Sequence, residues 1–125
     1  MAVGGVPRWV RTLGPEARAL PAGEWWDAVR VPLHHGRAAL ERLGASTGAV
    51  IEDGYGAILY WLIRPSSAPD WHLPPTHLLG PGCHVALPPA YRTAGPGLYW
   101  RIPPSARHNW TCPGKLGEAL RATLP

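Results

Sequence analysis

The 125-residue sequence has no phenylalanine, a single lysine and only two cysteines. It also lacks any apolar run approaching the ~20 residues that a helix needs to cross a bilayer, so no membrane span is expected. With Cys83 and Cys112 alone, a disulfide framework is not expected, and both read as free thiols. The start of the chain has no basic region followed by an apolar core, so no signal peptide is expected and the location reads as cytoplasmic. Eleven arginines stand against the one lysine, scattered from Arg8 to Arg121 with no dense basic run. That spread, with abundant Ala, Gly and Pro, reads as the imprint of a GC-rich genome rather than as a polybasic phosphate-binding segment.

What is present points to a small domain of short elements. Hydrophobic residues make up 46% of the chain, enough for one core, and seven Trp and four Tyr supply the aromatic volume that Phe would otherwise give. Sixteen Pro and fifteen Gly predict many turns rather than long helices. The net charge of +4 is compatible with an anionic partner but does not specify one.

Taken in order, residues 1–23 read as an N-terminal arm or leader, with one helical turn over 15–20, and residues 24–125 as a single domain. Residues 25–31 predict a strand stopped by Pro32, which cannot donate to a ladder. Residues 34–43 predict the clearest helix, with Ala39, Leu40 and Leu43 on one face, Gly44 as its C-terminal cap, and Arg37 and Glu41 spaced to pair. Residues 48–52 and 57–63 read as strands joined by the turn Asp53-Gly54-Tyr55-Gly56. The second is apolar throughout, so it is expected at the centre of the sheet. Residues 71–73 and 77–79 read as short edge strands around Pro74-Pro75. The stretch 79–104 predicts two strands, 83–87 and 98–102, paired with one another and framed by prolines. Residues 115–124 predict a closing helix. The expected fold is α+β, a mainly antiparallel sheet with two packing helices.

Few residues form a recognisable chemical constellation. No CxxC, HxxxH or HExxH spacing occurs, so no metal centre and no cofactor are expected. The one metal set open to the sequence would be assembled from distant parts, His77, His84, His108 and Cys112. No GxSxG or P-loop ending is present. The weak catalytic candidates are therefore His84, Tyr99 and the adjacent carboxylates Glu52 and Asp53, the second of which also suits a turn before Gly54. Tyr60 and Trp61 read as core. Alternation places Tyr99 and Arg101 on one strand face and Trp100 on the other, and an aromatic beside an arginine can stack a base and meet a phosphate.

Three segments taken together carry a family resemblance: residues 36–44 (GRAALERLG), residues 80–89 (GPGCHVALPP) and Leu98-Tyr99-Trp100-Arg101. In this order the chain resembles the N-terminal domain of bifunctional DNA primase/polymerases, in the small divergent bacterial forms of the archaeo-eukaryotic primase superfamily. The resemblance covers about two-thirds of the chain and implies a truncated version of that fold. It also implies a strand bearing two metal-binding carboxylates, and here those positions hold Arg30 and Pro32. Divalent ions for nucleotidyl transfer need anionic oxygen ligands, which an arginine would oppose.

The resulting expectation is a non-catalytic primase-polymerase-like domain without primase or polymerase activity. It would bind nucleic acid, nucleotide or a protein partner, with Arg30, Arg92, Tyr99 and Arg101 as ligand-binding residues. Two other classes stay open: a small enzyme with a repurposed Trp-rich pocket for a non-nucleotide metabolite, and a protein-interaction subunit.

Overall fold

The structure is a computed structural model and describes residues 7–105 and 109–124. Seven strands and two α-helices follow one another as β1 (Arg18–Pro21), β2 (Asp27–Pro32), α1 (Leu33–Leu43), β3 (Val50–Asp53), β4 (Ile58–Ile63), β5 (His77–Leu79), β6 (His84–Leu87), β7 (Leu98–Ile102) and α2 (Pro113–Arg121). Five strands make the main antiparallel sheet in the order β5-β2-β4-β3-β7, and β1 and β6 make a separate antiparallel ribbon. The architecture is α+β, as the sequence predicts.

The apolar run of β4 explains its place in the middle. Leu59, Trp61 and Ile63 face one way and pack with Ala39 and Leu43 of α1 and Leu116 and Leu120 of α2. Leu62 faces the other way, into a second cluster with Trp9, Trp26, Val85, Leu87 and Trp100. Period-two alternation on a strand covered on both sides gives this result. The sheet is thus a middle layer, with helices on one face and the ribbon plus a short 3-10 helix (Arg8–Thr12) on the other.

Local chemistry fixes the elements that frame these layers. Asp53 Oδ1 accepts from the backbone N–H groups of Tyr55 and Gly56, each at 3.1 Å, and so folds the β3–β4 turn on its own side chain. Gly44 takes a positive φ of 52° after α1 and returns its N–H to the carbonyl of Leu40. Gly36 lets α1 lie close on β4, since a Cβ there would stand 2.5 Å from Leu59 Cδ1.

Four expectations change. The strands expected to pair within 79–104 do not touch as a hairpin: β6 pairs with β1, and β7 pairs with β3 at the far edge of the main sheet. Residues 7–23 are built into the domain, with Trp9 and Val10 buried in the core, and residues 18–21 are strand rather than a helical turn. Residues 71–73 form no strand; the Trp71 indole N–H donates to Thr76 Oγ1 at 2.9 Å and folds the loop back instead, while β5 is an edge strand as expected. Arg37 and Glu41 form no ion pair, the one pair among the described residues being Arg101–Glu52.

Candidate functional site

Antiparallel partners lie on the same face of a sheet, so register defines which side chains form rows across it. One row runs through all five strands: His77 opposite Arg30, Arg30 opposite Tyr60, Tyr60 opposite Ile51, and Ile51 opposite Trp100. Trp100 and Ile51 are fully buried under the ribbon, Tyr60 is half-buried, and Arg30 and His77 are exposed. The ribbon therefore covers half of this face and leaves the other half open. Arg30 makes no ion pair among the described residues. With His77, Ile58 and Pro75 it lines an open hollow of about 260 Å³ beside the β3–β4 turn.

Burial pushes the Tyr60 hydroxyl above the ordinary tyrosine value of 10.0, the positive charge of Arg30 opposes the shift, and Asp53 adds to it. At neutral pH the exposed half of the row presents a cation, an imidazole and a neutral phenol that can donate. A tyrosine that holds its proton more tightly when folded gives stability that is complete below the unfolded pKa and lost as pH rises through the folded one. Alkaline destabilisation is therefore expected to begin near pH 10 and to be smaller in Tyr60→Phe. Urea midpoints measured across that pH range check it; equal slopes in both proteins would contradict it.

On the opposite face, under the helices, a second group assembles. Arg101 Nη1 lies 3.0 Å from Glu52 Oε1, with the carboxylate side chain only 7% exposed and the guanidinium 41% exposed. Tyr99 joins them. Its pKa is also raised, first by burial and then by its hydrogen bond with Glu52 and that group's charge, with Arg101 acting against both.

The sequence candidates are thus distributed as follows. Glu52, Tyr99 and Arg101 meet under the helices. Arg30 belongs to the other face and shares no surface with them. Asp53 is committed to its turn. His84 is exposed on the ribbon, opposite Pro21. Arg92 is bound into its own loop, donating from Nε to the Leu98 carbonyl at 3.1 Å and from Nη2 to the Pro96 carbonyl. Among the described residues no group of three or more His, Cys, Asp or Glu could hold a metal, and His108 lies outside the described residues. Cys83 and Cys112 are free thiols.

Four tryptophans, Trp9, Trp26, Trp61 and Trp100, are fully enclosed in the two cores, so the rings expected to line a Trp-rich pocket are mostly packing. Tyr60 is not among the residues the sequence singles out for a ligand, and His77 enters there only in the scattered metal set. The signal for Tyr60 was the alternation of β4, which turns it away from the helix layer; nothing short of the β2–β5 register brings in His77.

Comparison with protein-family models, with curated proteins and with solved structures found no match. No helix among the described residues is long and apolar enough to cross a membrane.

Proposed function

We propose that this is a cytoplasmic, non-catalytic primase-polymerase-like domain that binds single-stranded nucleic acid or nucleotide on the open half of its main sheet. The observation that carries the reading is the row His77–Arg30–Tyr60, in which an exposed cation stands beside a half-buried aromatic ring where the ribbon's cover of the sheet face ends. Exposed sheet faces of this composition meet phosphate with the cation and bases with the ring. The resemblance supports the same face, because Arg30 occupies a position where it implies a metal-binding carboxylate. A positive charge there favours the anion itself over the metal ions that would have bridged to it.

Binding of a fluorescein-labelled oligo-dT, followed by anisotropy, tests the reading. Affinity is expected to fall with rising salt, since each neutralised phosphate releases counterions. Arg30→Ala is expected to weaken binding and to lower the log–log salt slope by about 0.7, the single-strand value for one lost contact. Arg42→Ala, exposed in the last turn of α1 on the other layer, is the control and is expected to bind as the parent does. Absence of binding at low salt, or equal losses in both variants, would sink the proposal.

A further inference from the structure

The helix-side face holds a second hollow, of about 290 Å³, between α1 and the edge strand β7. Arg37, Glu41 and Arg101 carry its charge, and Leu40 and Ile102 give it apolar wall. Thr47 also lines it, but the Thr47 hydroxyl is already engaged, accepting from the Trp61 indole N–H at 3.1 Å and donating to the Gly48 carbonyl at 3.2 Å.

The two guanidiniums differ in how they are held. Arg101 is anchored from beneath by Glu52, a carboxylate that is itself buried, so its fork is fixed before any ligand arrives. A fixed fork loses less side-chain freedom on binding and matches a carboxylate in two-point geometry. Arg37 is exposed and has no ion pair among the described residues, although Glu41 stands one helical turn away.

Charge and size narrow the ligand. Two guanidiniums and one carboxylate, Glu41, line the hollow, and Arg101 is already paired with Glu52 behind it, so little positive charge is left over and the hollow suits a monoanion better than a polyphosphate. The volume lies just below the usual range for ligand cavities, about 300–1,000 Å³, which limits the ligand to a small molecule. The apolar walls call for a body that gains from leaving water.

We propose that this hollow binds a small monoanionic carboxylate on an apolar body, with the carboxylate between Arg37 and Arg101 and the body against Leu40 and Ile102. The site is separate from the Arg30 row and does not depend on it.

The structure supplies a reporter. The Trp61 indole N–H bonds to Thr47, which lines the hollow, so its proton–nitrogen resonance is expected to move when the hollow fills. The probes are hexanoate, hexanol and sulfate, titrated into labelled protein of residues 1–125. Hexanoate is expected to shift the Trp61 indole and the Leu40 and Arg101 amides saturably, with hexanol and sulfate much weaker. Arg37→Gln, on an exposed helix position, is expected to weaken hexanoate by about tenfold, an ordinary loss for one charge-assisted contact. Arg101→Lys keeps the charge while removing the fork, and is expected to weaken hexanoate with the rest of the spectrum unchanged. No saturable shift, equal binding by sulfate, or an unchanged affinity in Arg37→Gln would each overturn the proposal.

Discussion

A chain that begins at residue 24 is expected to lose cooperative unfolding. The removed segment carries Trp9 and Val10, 2% and 4% exposed, and the whole of β1, the ribbon partner of β6. Trp9 is the hub of the ring cluster, with centroids 6.3 Å from Trp26 and 6.1 Å from Trp100. Removing one buried Trp side chain typically costs 3–5 kcal/mol, roughly. Losing Val10, Leu20 and four ladder positions adds to that, against a total stability of about 5–15 kcal/mol for an ordinary domain. The loss is of the same size as the whole. The shortened protein is expected to show weak near-UV circular dichroism and a broad urea transition. A sharp transition at the parent midpoint would mean that residues 7–23 add little, whatever their burial.

Trp100→Ala is expected to be the most damaging single substitution, at about 3–5 kcal/mol. The ring is fully buried between the sheet and the ribbon, and it closes the buried end of the cross-strand row. Within the three-ring cluster it alone has an indole partner, donating to the Pro88 carbonyl at 3.2 Å, whereas the Trp9 and Trp26 nitrogens have none. Its loss removes apolar packing and leaves a buried carbonyl unpaired, two penalties that add. The measurement is a urea titration at constant m-value, with Tyr99→Ala beside it as the half-buried neighbour on the other face. Equal midpoints for the two variants would contradict the assignment of Trp100 to the core.

Elements governed by local pattern were legible from the sequence. The helix α1 announced itself by its apolar face and terminal glycine, the β3–β4 hairpin by Asp53-Gly54, and β4 by its uninterrupted apolar run. What the sequence did not disclose was partnership. The prolines and glycines around β6 and β7 mark where each strand stops, and stopping signals are the same whether two strands pair or go to different sheets. The segment 88–97 is too long to fix a register as a two-residue turn does. Residues 16–20, Glu-Ala-Arg-Ala-Leu, are good helix formers, yet pairing with β6 overrides that preference. The candidate site suffered the same way. Arg30 and Arg101 both read as ligand-facing, but which face a strand residue occupies depends on register and on which layer covers it, and here the two arginines point to opposite sides.

The loop bound by Arg92 has a consequence for assembly. β7 is an edge strand, and such edges invite further strands. Here the Trp100 N–H donates to the Arg92 carbonyl at 2.9 Å, and the Arg92 side chain takes the Leu98 carbonyl. Two of the groups on this border are thus already engaged by the chain itself. The opposite border, β5, is only three residues long. Neither side of the main sheet offers a lengthy template for templated growth into fibrils or strand-swapped oligomers, so association is directed to the two faces rather than the rim.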